Sequence, residues 1–344
     1  MVTKLTRKAP LFKKLILHVG SHKTGTSAIQ RAADRRRNSL LDQGILYPRI
    51  GQWHDRSHHH WAFAISDETE GMGKLDTLIA DLEQERNETG KEPETALLSS
   101  ELLEKIPHAG KQYPALTSFL GRIAETVECV YFVRRQDLLI ESVFKQWVKD
   151  NKLRLKSTVQ DFISQQAPRL VYLDIAKKWE SLQNVSQMHV HTNALFTDPV
   201  RVFFDICGME LEDITNQGTT LIVNPTLDGQ KLEFKYLLNF LDFSEADDSK
   251  LLKSINQIDT PYEAVSLFSE NDRAAFIEEF KPGNDIMSKH YGVELFNDDF
   301  PKRDRMFCSL SGKNLEGMLQ HLSEIDPKLT WLVYDKIRRL VQSH

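Results

Sequence analysis

Cysteine is scarce in this chain, with three in 344 residues, at positions 129, 207 and 308. Residues so far apart form no metal-spaced cluster, and their odd number argues against a disulfide framework, so a reducing compartment is expected. Long apolar runs are missing as well: no segment reaches the roughly 20 residues that a membrane-spanning helix needs. Neither charge is in large excess. Lys and Arg number 44 against 49 Asp and Glu, a net charge of −5, which leaves no global basic footprint for nucleic acid. Local basic runs do occur (Lys13-Lys14, Arg35-Arg36-Arg37, Arg134-Arg135), and such runs are most often solvated faces. Gly/Ser/Pro-rich linkers, internal repeats and low-complexity stretches are absent. Residues 1–11 are basic and lack a cleavage pattern, so they read as a tail leading into a first strand and not as a signal peptide. These exclusions point to a soluble, cytoplasmic globular protein, with 40% hydrophobic residues to build its core.

What is present is an alternation. Short apolar runs at Leu15 to Val19, Ile45 to Pro48, Thr95 to Ser99 and Cys129 to Val133 read as strands, with a weaker one at Met188 to His191. Helical periodicities lie between them, marked by Ala28, Ile29, Ala32, Ala33 and Leu40, by Leu75, Leu78, Ile79 and Leu82, and by Leu116, Phe119, Leu120 and Ile123. Gly44 and Gly90 stand where helix stops are expected. Continuously apolar strands separated by helices predict a parallel sheet covered on both faces. From about Leu227 onward the patterns are mostly helical and no strand is expected. Ligands of such sheets bind beyond the C-terminal ends of the strands, where Gly20 and Arg134 would both lie.

The stretch "HVGSHKTGTSAIQ" follows the first strand and resembles a phosphate-binding loop, with glycines at 20 and 25 and a helix opening at Thr26. Unsatisfied N–H groups at a helix start and its dipole favour an anion, and Thr24, Thr26 and Ser27 add hydroxyls. The ATP-binding form of this loop places a lysine directly after the second glycine. Here Thr26 stands there, and Lys23 lies three places earlier. The strand "TALLSSE" also ends in Ser99-Ser100 before Glu101, where a Mg²⁺-binding aspartate would be expected of a nucleoside triphosphatase. A second anion site is read in "CVYFVRRQDLLIESVF": Arg134 follows a strand directly, and Ser142 falls early in the next helix. Guanidinium is suited to bidentate phosphate contact.

On these residues the chain resembles the PAPS-dependent sulfotransferases (PAPS being 3′-phosphoadenosine 5′-phosphosulfate), and within them the bacterial and carbohydrate-modifying members more than the small-phenol enzymes. The family's 5′-phosphosulfate loop, K-x-G-T-[TS], is matched by Lys23-Thr24-Gly25-Thr26-Ser27. Its arginine after a strand with a serine eight residues on is matched by Arg134 and Ser142. The resemblance covers roughly residues 12–210. It implies a three-layer α/β/α fold with a central, mostly parallel sheet, P-loop NTPase-like, with a helical C-terminal portion. The domain would span 12–305, with the PAPS-binding core at 12–210 and a mostly helical remainder at 211–305, followed by a helical extension at 306–344. It further implies PAPS as co-substrate and PAP as product, no metal, and cofactor contacts from Ser21, His22, Lys23, Thr24, Gly25, Thr26, Ser27, Arg134 and Ser142. Lys23 would lie beside the oxygen bridging phosphate and sulfate, where charge develops as the bond breaks. The R-K-G lid of the small-phenol enzymes is absent from the C-terminal half, and Asn216 to Gln230 is the stretch that would cover the site. Ala28 replaces the aromatic residue that meets adenine in those enzymes.

An acceptor hydroxyl, expected on a glycan, needs a general base near neutral pKa. "GQWHDRSHHHWAFAI" offers His54, His58, His59 and His60. His59 is favoured, then His58, with His60 and Glu101 as further candidates, and an exposed loop is the alternative for the whole run. His22 is expected to make a local contact. Trp53, Trp61 and Phe63 are candidates for stacking on sugar faces, with core packing as their other fate. Two other functions compete with sulfuryl transfer: a P-loop kinase or NTPase, and a non-catalytic nucleotide-binding protein.

Overall fold

The computed structural model describes residues 9–108, 110–192, 198–209, 227, 229–295, 303–308 and 310–342. The chain divides into two compact units that interleave in sequence. The first takes Met1–Arg135, Arg169–Gln217 and Phe280–Phe296; the second takes Gln136–Pro168, Gly218–Glu279 and Asn297–His344.

Residues 9–135 begin with β1 (Phe12–His18), α1 (Thr26–Arg35), α2 (Arg37–Asp42) and β2 (Ile45–Leu46). There follow α3 (His59–Ser66), α4 (Gly71–Glu88), β3 (Thr95–Ser99), a 3₁₀ segment (Glu101–His108), α5 (Tyr113–Ile123) and β4 (Ala124–Val133). Next come α6 (Gln136–Lys149) and α7 (Val159–Gln166) of the second unit, then α8 (Tyr172–Glu180), β5 (Val185–Thr192) and α9 (Pro199–Ile206) of the first. The remainder holds α10 (Gly229–Asn239), α11 (Glu245–Gln257), β6 (Val265–Ser266), α12 (Glu270–Tyr291), β7 (Arg305–Met306), α13 (Gly312–Ile325) and α14 (Pro327–Gln342). No helix among the described residues is long and apolar enough to cross a membrane.

The first unit is an α/β fold around a five-stranded sheet of order β2-β3-β1-β4-β5, with every pairing parallel. Strands alternate their side chains between two faces, and both faces here are apolar. Ile16, Leu97, Val130 and Phe132 pack with Ile29, Ala33, Phe203 and Phe204 from α1 and α9 on one side. The intervening Leu15, Leu17, Leu98, Cys129 and Tyr131 are equally buried on the other, where Tyr131 meets Tyr172 of α8 at a ring separation of 6.1 Å. Burying both faces is what makes these strands continuously apolar in sequence. In register, His18 stands between Ser99 of β3 and Val130 of β4, so the loops after β1, β3 and β4 emerge at one edge.

Two local features depart from the sequence reading. The helical pattern running to Leu40 is broken at Arg36 (φ −99°, ψ 15°). The break places Arg37 where its guanidinium bonds Asp34 and the carbonyl of Tyr47. In the second unit, β6 and β7 form a two-residue parallel pair, Val265 opposite Arg305, too short to leave a period in the sequence. That unit is otherwise helical, and its interior is held by ion pairs: Arg273 with Asp137 and Glu141, Arg303 with Glu141, Arg305 with Glu233, and Lys235 with Asp248.

Gly51 begins the loop that leads to the histidine run. Its φ is +80°, and a Cβ there would lie 2.1 Å from Nε1 of Trp61, a fully buried side chain that itself donates to the Ile50 carbonyl at 3.3 Å. Neither the backbone nor the indole has room to yield. Gly51→Ala should therefore destabilise the protein by about 2–4 kcal/mol, read as a lower urea midpoint at unchanged m. A loss below about 0.5 kcal/mol would show that the turn is not under this constraint.

Candidate active site

The turn between β1 and α1 is anchored on its inner side and open on its outer side. Val19 and Ser21 donate their N–H groups to the carbonyls of Val130 (3.0 Å) and Phe132 (3.1 Å), and Thr24 Oγ1 closes the turn on the Ser21 carbonyl at 2.6 Å. Gly25 then adopts the left-handed conformation (φ 96°, ψ 6°) as the residue before the helix. Lys23 is also left-handed, at φ 66°, which is costly for a residue with a Cβ and marks the turn as strained. The N–H groups of Gly25, Thr26 and Ser27 have no acceptor among the described residues, while Ala28 and Ile29 already bond the Gly25 carbonyl. Ser21 Oγ is buried and unpartnered as well. Three open amides, a buried hydroxyl and the positive end of the α1 dipole make a site for a compact anion. The side chains of Lys23 and Ser27 are exposed beside it, and Thr24 and Thr26 are buried.

Beneath the turn lies a polar group that the sequence reading missed. His18, the last residue of β1, is fully buried, and burial lowers its pKa to about 3. Its Nδ1 meets Ser99 Oγ at 2.8 Å, and Gln30 donates to the same oxygen at 3.3 Å. The other ring nitrogen, Nε2, is buried and has no hydrogen-bond partner among the described residues. A Cβ on Gly20 would lie 2.5 Å from that Nε2, so this position of the turn has room only for glycine. The available signals were one polar residue within the apolar run from Leu15 to Val19 and Gln30 one helical turn after Thr26.

The histidine run divides by role. The N–H of Ser99 donates to His58 Nδ1 at 3.1 Å, so the proton is on Nε2, which donates to the Pro48 carbonyl at 2.9 Å. Burial holds the His58 pKa at about 4. Both His58 ring nitrogens are bonded to backbone groups, and the side chain is a fully buried tie between the segment at Pro48 and the end of β3. His59 is different. Its Nδ1 shares a 2.8 Å hydrogen bond with Ser100 Oγ, and its Nε2 lies 3.8 Å from Glu101 Oε1 and 3.9 Å from Asp55 Oδ2. Burial lowers its pKa, against the raising effect of Glu101 and Asp55, so the ring is neutral at pH 7 with two carboxylates beside Nε2. Asp55 stays ionised: partial burial works to raise its pKa, but bonds from the Ser57 hydroxyl and amide hold it below the usual range.

Glu101 joins the two parts of the site. Its Oε2 accepts from Gln30 of α1 at 3.1 Å, and its Oε1 lies 3.9 Å from Nδ1 of His22 in the turn. Lys23, His22, Glu101 and His59 thus belong to one neighbourhood at the C-terminal edge of the sheet. His54 and His60 are exposed, and their rings stand 5.3 Å and 5.0 Å from that of Trp53, which with Phe63 (5.6 Å) makes an exposed aromatic shelf beside His59. Trp61 takes its other expected fate: it is fully buried, 5.2 Å from the Phe119 ring.

Arg134 follows β4 directly, half-buried, and its carbonyl accepts from the hydroxyl of Tyr172 at 2.6 Å. Ser142 is half-buried on α6 in the second unit. Of Asn216 to Gln230, expected to supply a covering loop, all but Leu227, Gly229 and Gln230 lie outside the described residues.

No family model matches the chain, and no curated protein matches it. Two solved structures are similar over most of their length. One is a chain from the PezAT chromosomal toxin–antitoxin system of Streptococcus pneumoniae, 12% identical, over 73% of this chain and 87% of that one, with a TM-score of 0.28. The other is a sulfotransferase domain from the curacin biosynthetic pathway, 13% identical, over 74% of this chain and 100% of that one, with a TM-score of 0.32. At such identities and TM-scores neither likeness bears on activity or ligand.

The buried histidines give the protein a pH signature. Above pH 6.5 His18 and His58 are neutral folded or unfolded and contribute no slope. Below it the unfolded chain takes up their protons, while the folded protein refuses them down to about pH 3 and 4. Stability is therefore present above pH 6.5 and lost as pH falls towards those values. Calorimetric unfolding at pH 5.5, compared in buffers of different ionisation heat, should show an uptake of about two protons from this pair. Zero uptake, or release, would mean that the two rings are not held neutral.

Proposed function

We propose that the protein transfers the sulfuryl group of PAPS to a hydroxyl of a carbohydrate or polysaccharide. The observation that carries this reading is the pairing of an anion-binding turn, built without a lysine after its second glycine, with a neutral imidazole held at the end of the adjoining strand. PAPS has no β- or γ-phosphate for that missing lysine to reach. In this reading the open amides of Gly25, Thr26 and Ser27, with Ser21 and Thr24, take the 5′-phosphosulfate, and by the resemblance Arg134 takes the 3′-phosphate. The acceptor oxygen attacks sulfur as the bond from sulfur to the bridging oxygen breaks, and its proton passes to His59 Nε2. Glu101 and Asp55 stabilise the imidazolium that forms, and Ser100 sets the ring's orientation. Lys23 meets the charge developing on the leaving phosphate, an interaction stronger in the transition state than in the ground state.

A kinase or NTPase would place a Mg²⁺ ligand at the end of β3. That position carries Ser99 and Ser100, whose hydroxyls are engaged by His18 and His59. The strand end is thus arranged to hold imidazoles, which favours proton transfer over metal-assisted phosphoryl transfer. The Trp53–Phe63 shelf suits the apolar face of a sugar ring.

Steady-state kinetics with PAPS and an acceptor series test these roles. Lys23→Ala should lower kcat by about 10²–10³-fold with little change in PAPS affinity, whereas Arg134→Ala should mainly raise KM for PAPS. His59→Gln should lower kcat by about 10²–10⁴-fold. If both cation variants changed only affinity and His59→Gln left turnover intact, the proposed division of labour would fail.

A further inference from the structure

Gln30 is a fully buried amide on α1, the helix whose N-terminus forms the anion-binding turn. Its Nε2 donates twice, to Ser99 Oγ at the end of β3 (3.3 Å) and to Glu101 Oε2 (3.1 Å). An amide nitrogen carries two protons, so both are spent on these partners. The reverse orientation would set Oε1 against the carboxylate, acceptor facing acceptor, so the network itself assigns the nitrogen. Oε1 is buried and has no hydrogen-bond partner among the described residues.

Packing does not explain this side chain. A methionine would fill the same length without burying an unpaired oxygen, which costs stability. What methionine lacks is the pair of N–H groups. Those groups serve the end of β3 and the 3₁₀ segment after it, although Gln30 stands only one helical turn beyond Thr26.

A carboxylate has two equivalent oxygens and turns easily about its last bond. The bond from Gln30 engages Oε2. Oε1 is then the oxygen that lies 3.8 Å from His59 Nε2 and 3.9 Å from His22 Nδ1. Glu101 is only 11% exposed, so little water is at hand to hold it in Gln30's place. Ser99 anchors the other N–H, and Ser99 is itself fixed by His18 and His58. The charged and titratable groups that act on His59 are Glu101 and Asp55, which favour its protonation, and His54 and His60, which oppose it.

We infer that Gln30 is a positioning residue for the base: it holds Glu101 with Oε1 turned to His59, the orientation in which the carboxylate stabilises the imidazolium. The role of His59 as base rests on the sulfuryl-transfer reading, but the orientation of Glu101 can be measured without PAPS.

His59 is titrated by NMR without nucleotide, on protein carrying isotope-labelled histidine and glutamine, its signals assigned by their loss in His59→Gln. Wild type, Gln30→Met, Glu101→Gln and the double variant are compared over the pH range in which tryptophan emission shows each to be folded. Without its donor the carboxylate turns away, so Gln30→Met should lower the His59 midpoint. Glu101→Gln should lower it too, and adding Gln30→Met to that variant should lower it no further, because residue 30 acts through Glu101. An unchanged or raised midpoint in Gln30→Met, or the same fall with and without Glu101, would overturn the inference. A second measurement needs no change at residue 30: one of the two Nε2 protons of Gln30 should move upfield in Glu101→Gln, and if neither moved the inference would fail as well. With PAPS and an acceptor, Gln30→Met should lower kcat by up to about 10²-fold at unchanged KM for PAPS, a split that general loosening of the fold would not give. Wild-type kcat in that variant would contradict the role. Titrations as predicted from a wild type that neither binds PAP nor transfers sulfate would uphold the orientation of Glu101 and count against the sulfotransferase reading alone.

Discussion

The candidate site is tied together by what the end of β3 bonds to. Ser99 gives its amide to His58 Nδ1, its carbonyl to the His58 amide and its hydroxyl to His18, and Ser100 gives its hydroxyl to His59. Two adjacent serines thus fasten the strand that enters the anion-binding turn and the loop that carries the imidazole facing Glu101 and Asp55. Each tie is buried, where a lost partner leaves an unsatisfied polar group and costs more than the bond itself contributes. The loop after β2 is therefore held at the sheet edge by side-chain and backbone bonds together, and the chemistry proposed for His59 needs that fixity.

Much of the first unit was legible in the sequence. Its strands are buried on both faces, so Leu15 to Val19, Thr95 to Ser99 and Cys129 to Val133 read as mainly apolar runs, and Gly44 (φ +77°) and Gly90 (φ +65°) stop helices as expected. The turn from Gly20 to Ser27 was legible because glycine and hydroxyl residues at a strand-to-helix junction have few other uses. His18 was not, because a residue's role under a turn depends on what folds over it. Four neighbouring histidines could not be sorted either. His58 and His59 are consecutive, yet one meets a backbone amide and the other a serine hydroxyl. The interleaving of the two units left no mark at all, since no change of composition accompanies Arg135 or Pro168.

Charge is distributed in the first unit so that a nearly neutral chain presents distinct local fields. The turn offers open amides and Lys23, the His59 neighbourhood offers two carboxylates, and Arg35, Arg37, Arg49 and Arg56 line a cleft. In the proposed reaction a polyanionic donor and a proton to be removed would each meet a complementary field. Lys23 in the turn and Arg56 beside Asp55 are left-handed without being glycine, as are Glu92 and Arg154 elsewhere. The second unit, by contrast, places its buried charges in closed pairs such as Lys235–Asp248 and Arg273–Glu141.

The most direct test of the account is thermal unfolding with added PAP, AMP or Mg-ATP at equal concentration, using the wild type and Arg134→Ala. A ligand at 100 times its dissociation constant stabilises by about 2.7 kcal/mol, which is readily seen. The account predicts stabilisation by PAP, little by AMP, and loss of the PAP effect in the variant. Stabilisation by Mg-ATP alone would contradict it and make the turn that of a kinase or NTPase.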